Sequence, residues 1–178
     1  MSLQTDIIFV KALRSNAELI EQLPAGDVYN TAIALPDEEA ENAPLPYIIV
    51  SFDGLNNQDT TKDDSFESES DSVQIGITIC AGEREELGAM AVAIRTTIRE
   101  YFREHYGDTT DEDFALIPDD ITLNAQGVQY DSMKPCFWQV LNYQCDIQAE
   151  RQGAKKKMKR SGQWEQAGQV PAQKTLWG

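Results

Sequence analysis

Carboxylates are the residues of this chain that could most readily do chemistry. Seven of them fall within residues 53–71, among them Asp59, Asp63 and Asp64, with Phe66 as the large apolar residue of their middle stretch. A second group is Asp108-Thr-Thr-Asp-Glu-Asp113. Clustered acids of this kind are oxygen ligands for a hard cation, and the second group resembles part of a calcium loop. It lacks the glycine at the sharp turn and the closing glutamate, so a solvated acidic surface is the favoured reading for both stretches. The lone histidine, His105, stands near the end of a helical pattern, where positive charge suits the helix dipole. It has no serine or cysteine partner in a nucleophile motif. Gly82-Glu-Arg-Glu-Glu-Leu-Gly88 is no phosphate loop, because it lacks the Gly-Lys-Ser/Thr ending and its carboxylates repel phosphate. Asp119-Asp120 reads as a turn, since adjacent side chains rarely converge on one substrate.

The basic residues tell a different story. Lys155, Lys156, Lys157, Lys159 and Arg160 form one run, followed by Trp164 and Trp177 in a Gly/Gln/Ala-rich stretch. By composition this is either a patch for nucleic acid or an acidic partner, or a solvated tail. The tryptophans favour docking, because an indole in a polar tail gains nothing unless it packs on something. With no catalytic constellation, no cofactor motif and no metal set, the chain reads as an interaction protein and not an enzyme. The candidate contact residues are Asp59, Asp63, Asp64, Phe66 and the basic run with Trp164.

Charge is divided along the chain. Residues 1–150 hold 8 Lys/Arg against 29 Asp/Glu, a balance of −21, whereas residues 151–178 hold 7 against 1. An acidic body of that size repels nucleic acid and anionic surfaces, which argues against sequence-specific nucleic-acid binding. No apolar run approaches the ~18 residues of a membrane helix. Met1 to Phe9 has no basic region ahead of its apolar residues, so it is not expected to be a signal peptide. The cysteines are Cys80, Cys136 and Cys145. An odd number, with the last two on opposite sides of one predicted strand, implies free thiols.

These residues must be carried by a small set of elements. Val73, Ile75, Ile77 and Ile79 alternate with polar or small residues from Ser72 to Cys80, the period of a strand with one buried face. Leu87, Met90, Ala91, Ile94, Ile98, Tyr101, Phe102 and His105 then recur at three and four, predicting a long helix over 84–106 with Glu83, Glu85 and Glu86 at its positive end and Gly107 as its stop. Upstream, Leu3, Ile7, Val10, Leu13, Ala17 and Ile20 predict an N-terminal helical segment, capped by Thr5-Asp6 and bent at a capping box Ser15-x-x-Glu18. Val28–Leu35 predicts a first strand. Tyr47–Phe52 is nearly all apolar and predicts a central strand covered on both faces. Asp53 to about Asp71 is then an acidic loop, mobile or ordered only by a partner. Short strands are expected within 114–123 and at Val128–Tyr130, and a long last strand after Pro135. The expected fold is α+β: a small, mostly antiparallel or mixed sheet of about four to five strands, with an N-terminal helix and one long helix packed on it. Residues 1–150 form the domain and 151–178 a basic, disordered tail.

This order of elements resembles the tail terminator, or tail-to-head joining, proteins of long-tailed bacteriophages. The resemblance rests on the helical segment ending near Leu23, Val28-Tyr29, the proline-rich approach to Pro46-Tyr47-Ile-Ile-Val50, and the acidic turn Cys80-Ala-Gly-Glu-Arg-Glu-Glu-Leu-Gly88. It continues through Ile94-Arg95 and Ile98-Arg99-Glu-Tyr-Phe102 to Met133-Lys-Pro-Cys-Phe-Trp138 before the last strand. It covers roughly residues 1–150; the long acidic loop and the basic tail lie outside the pattern. It implies a small α+β domain without catalytic residues that assembles with itself into a ring, commonly a hexamer. That ring would cap the tail tube, meet the head–tail connector, and reside in the virion after assembly in the bacterial cytoplasm. The rival readings are a small acidic metal-dependent enzyme and an acidic regulatory or DNA-mimic binding module.

Overall fold

A computed structural model of the chain describes residues 4–30, 43–56, 70–106, 117–118 and 120–148. In chain order the elements are α1 (Thr5–Arg14), α2 (Ala17–Glu21), β1 (Tyr29–Asn30), β2 (Tyr47–Asn56), β3 (Ser70–Ala81), α3 (Arg84–His105), β4 (Asp120–Ala125), β5 (Gln129–Asp131) and β6 (Cys136–Gln148). The fold is α+β, as the periodicities predict, with a mixed sheet of six strands where four or five were expected. Its order is β1-β2-β3-β6-β4, with β5 also paired to β6. Among the described strands the β1–β2 pairing alone is parallel.

The middle of the sheet is the β3–β6 ladder, which runs unbroken from Ser70↔Gln148 to Ala81↔Phe137. Strict alternation decides its faces. Val73, Ile75, Ile77 and Ile79 are all fully buried, as are Cys145 and Ile147 from β6, with Leu141 and Tyr143 nearly so. Onto this face α3 lays the stripe Leu87, Met90, Ile94, Ile98 and Phe102, all buried at spacings of three and four. The predicted helix boundaries agree to within a residue: Tyr106, in extended backbone, ends the helix, and Gly107 lies outside the described residues. Tyr101 and His105, expected in the stripe, are half-buried at its margin, with ring centroids 4.4 Å apart.

The N-terminal helices differ from the sequence reading in the width of their buried face and in capping. Ile8, Phe9, Ala12 and Leu13 are fully buried, whereas Ile7 is 38% exposed and Ala17 faces solvent. Two adjacent faces of α1 are covered, one by α3 and one by β2 and β3, so a single stripe does not describe it. Thr5 and Asp6 do not cap α1. Both are buried, and Asp6 Oδ2 accepts from Asn30 Nδ2 at 2.8 Å, which ties the helix to β1. The cap of α2 is Asn16, one residue past the expected Ser15. Asn16 Oδ1 accepts from the Leu19 backbone N–H at 3.1 Å, its Nδ2 donates to Thr97 Oγ1 of α3 at 2.7 Å, and Ser15 Oγ turns back to Ala12 O. The end at Leu23–Gly26 is as predicted: Gly26 N–H donates to Leu23 O with φ of 67°, a conformation that suits glycine.

Two strand readings need correction. β2 is not covered on both faces. Ile48 and Val50 are buried, while Tyr47, Ile49 and Ser51 on the other side are only half-buried. Nor does a loop begin at Asp53. The strand continues to Asn56 through a register shift between Phe52 and Gly54, held by pairing with β3. The first strand is described at Tyr29–Asn30, and residues 31–35 of its predicted range lie outside the described residues.

Helices therefore cover one face of the sheet. On the other face lie Ile49, Thr78, Trp138 and Val140 at one end and Gln74, Thr122, Asn124 and Gln144 at the other, half-buried or exposed. No described helix or strand is layered over it. Gly76 sits in the middle of this face, where an added Cβ would collide with the carboxylate of Asp53 and come within 2.6 Å of Ser51 Oγ. Ser51 Oγ itself donates to Asp53 Oδ1 at 2.7 Å across this spot.

The packing yields two expectations. Ile98→Ala removes a side chain that is 1% exposed under α3 and should cost roughly 2–4 kcal/mol in chemical denaturation; a loss below about 0.5 kcal/mol would mean that α3 turns a different face to the sheet. The second concerns alkaline stability. Burial pushes the Cys145 thiol up to about 12 and the Tyr143 phenol to about 12, with Asp146 adding to the first effect. The folded chain thus keeps protons that the unfolded chain releases. Their contribution is fully present below the ordinary thiol value of about 8.5 and is lost as the pH rises toward 12. The urea midpoint should fall steadily above that point, and a flat midpoint across this range would contradict the burial of both groups.

Candidate functional site

A groove of about 570 Å³ opens between α3 and the β4–β6 side of the sheet. Its dimensions fit the range of ligand-binding clefts. Helical periodicity places Arg95, Arg99 and Arg103 at intervals of four, so the three side chains form one rim along the exposed side of α3. Sheet periodicity supplies the opposite wall: Ile121 and Leu123 of β4 point toward the helix while Thr122 and Asn124 point away. Ile98 and Phe102 from the buried edge of the α3 stripe contribute to the floor, with Pro118 at one end.

Tyr143 of β6 also lines the groove. The residue is 4% exposed, its ring is held 5.3 Å from Phe9, and Phe9 in turn meets Phe102 edge-on at 5.0 Å. Its oxygen is buried and has no hydrogen-bond partner. Burial raises its pKa, and the neighbouring Arg95 partly opposes that rise. A neutral phenol is a donor, so at physiological pH this buried O–H is left unused. Among the described residues none of the three arginines joins an ion pair; the pair shown is Arg14–Asp27, where the guanidinium holds the Asp27 carboxyl below its usual range. A guanidinium fork with no carboxylate is a ready receptor for one.

A shallower polar recess of about 320 Å³ lies on the uncovered sheet face, lined by Asp53, Gln74, Thr122, Asn124, Asn142 and Gln144. At the other end of that face Tyr47 hydrogen-bonds Cys80, and Lys134 Nζ lies 5.1 Å from the Tyr47 ring centre. Burial raises the pKa of both Cys80 and Cys136, so at neutral pH they are protonated and weak nucleophiles.

Most of the residues singled out by sequence lie outside the described residues. Asp59, Asp63, Asp64 and Phe66, and Lys155, Lys156, Lys157, Lys159, Arg160 and Trp164 with the whole basic tail, are outside the described residues, as is the acidic group 108–113. Among the described residues no group of three or more His, Cys, Asp or Glu side chains is placed to hold a metal ion. Nor is any described helix long and apolar enough to cross a membrane. His105 rests against Tyr101, and Asp120, read from sequence as a turn residue, is instead the first residue of β4, paired with Asp146, its Oδ1 accepting from the Ile121 N–H at 2.8 Å. The arginine rim was open to sequence reading, because three arginines at i, i+4 and i+8 of a predicted helix must share one side. The far wall was not, because nothing local says that β4 pairs with β6 beside α3.

The orphaned hydroxyl leads to a prediction. Tyr143→Phe keeps the ring contacts and removes a buried, unpaired oxygen, so stability should be unchanged or higher by about 1 kcal/mol. A fall of more than about 1 kcal/mol in the denaturation midpoint energy would show that the hydroxyl is satisfied in solution.

Neither the family models nor the curated proteins contain a match to this sequence.

Proposed function

We propose that this chain is a structural protein of a tailed bacteriophage or prophage: a tail terminator that assembles with itself into a ring, caps the tail tube and joins it to the head. One observation carries this reading. The sheet has helices on one face, while the other, with Ile49, Thr78, Trp138 and Val140 half-buried, has no layer over it among the described residues. A two-layer domain whose second sheet face mixes apolar and polar groups is suited to burying that face against another subunit. The order of elements supports the same reading, since α1 and α2, the β2–β3 hairpin, α3 and the final antiparallel strands follow the order that the resemblance implies.

In this role the protein acts by assembly and not by chemistry. Its partners are other copies of itself, in a ring that is commonly a hexamer, then the tail tube protein on one side and the head–tail connector on the other. The finished ring resides in the virion. The acidic body suits a ring whose lumen passes DNA, because a repulsive wall does not retain the strand. The basic tail gives each copy a means of reaching its neighbour's acidic surface. Each such exposed pair is worth less than about 1 kcal/mol, but a ring repeats it.

Sedimentation and electron microscopy of the full chain, alone and with purified tail tubes, test this. Rings should form, at the latest when tubes are present. They should weaken as salt rises from about 0.05 to about 0.5 M, where screening sets in. Removing residues 151–178 should weaken assembly further while leaving the circular dichroism unchanged. A chain that stays monomeric with and without tubes would end the terminator reading. Rings indifferent to salt and truncation would remove only the role of the tail.

A further inference from the structure

We infer that the groove between α3 and β4 seats an acidic peptide segment carrying an apolar side chain, contributed by another protein chain. The rim argues for several carboxylates on one ligand. Arg95 to Arg103 spans eight residues of helix, about 12 Å at 1.5 Å per residue, so three guanidinium groups stand in a row. A fatty acid or another mono-anion would engage one of them and leave two unpaired, whereas a peptide with acids at short spacing engages the row, each by a charge-assisted and potentially bidentate contact. The floor argues for an apolar anchor among those acids. Ile98, Phe102, Ile121 and Leu123 face a space of about 570 Å³, large enough for an aromatic side chain together with its backbone.

Duplex nucleic acid fits less well. It would carry a continuous array of phosphates across a chain of net charge −15, and it has nothing to place on the aliphatic floor. A short acidic segment meets the arginines within a Debye length, about 10 Å at 0.1 M salt, and leaves the more distant carboxylates screened. This site stands apart from the uncovered sheet face, so the inference does not depend on ring formation.

The experiment uses the full chain and a fluorescein-labelled heptapeptide, Asp-Asp-Ser-Phe-Glu-Ser-Glu, which reproduces residues 63–69 and has the required chemistry. Fluorescence anisotropy at low salt should show saturable binding. Arg99→Glu combined with Arg103→Glu, both exposed positions, should weaken it at least about tenfold while leaving thermal unfolding unchanged. Replacing the peptide's phenylalanine with alanine should weaken binding about fivefold or more. A Phe66→Ala chain is tested as a second receptor, so that the chain's own copy of the segment does not compete. The inference is overturned if neither receptor binds the peptide or if the charge-reversed chain binds it equally well. Tighter binding of dodecanoate or of a 20-nucleotide oligothymidylate than of the peptide, measured by competition, would also overturn it and identify the groove as a lipid or nucleic-acid site.

Discussion

Phe9 is the contact on which the arrangement turns. Its ring is fully buried, edge-on to Phe102 at 5.0 Å and tilted against Tyr143 at 5.3 Å. It joins α1, α3 and β6, three elements far apart in sequence. Aromatic pairs of this geometry add about 0.5–1.5 kcal/mol beyond the area they bury. Their larger consequence here is positional. With Phe9 on one side, the Tyr143 ring is fixed in the core, and its hydroxyl is buried without a partner. Tyr143 and Phe102 both also line the groove, so the packing that closes the core forms part of the site beside it.

The same burial makes the two faces of the sheet unequal. β3 and β6 point most of their large aliphatic side chains one way, toward α1 and α3, and glycine, threonine, glutamine and asparagine, with Trp138 and Val140, the other. Gly76 shows how closely the second face is organised: its missing Cβ leaves room for Ser51 and Asp53 to meet over the strand. The chain thus offers two surfaces of different character. One is a broad, mixed sheet face suited to another subunit. The other is a narrow, arginine-rimmed groove suited to a segment.

Much of this was legible in the residues. The period-two run Val73–Ile79 and the three-and-four spacing from Leu87 to Phe102 identify β3 and α3 to within one or two residues at each end. A one-residue slip in either would expose a whole apolar face, so these patterns tolerate little error. For α1 a single stripe is too narrow: Val10 and Leu13 are buried as expected, but the helix is covered on two adjacent sides, so Ile8, Phe9 and Ala12 are buried where Ile7 was expected. The cap of α2 falls one residue past the expected one because Ser15 and Asn16 are both competent, and the contact from Asn16 to Thr97 favours the second. β2 was misread because an apolar run looks the same whether its second face lies under a helix or only beneath half-exposed side chains.

By itself, then, the sequence determined the α+β class, the long helix, the two central strands and the sharp division of charge. These follow from periodicity and composition, which act over a few residues. The tertiary structure alone decided which face of the sheet the described helices cover, that the Tyr143 hydroxyl is buried without a hydrogen-bond partner, and that an arginine rim on α3 lies beside the apolar side of β4. Those depend on strand order and on which distant side chain fills the space beside another. The free energy that selects them belongs to contacts between elements, and no local pattern encodes it.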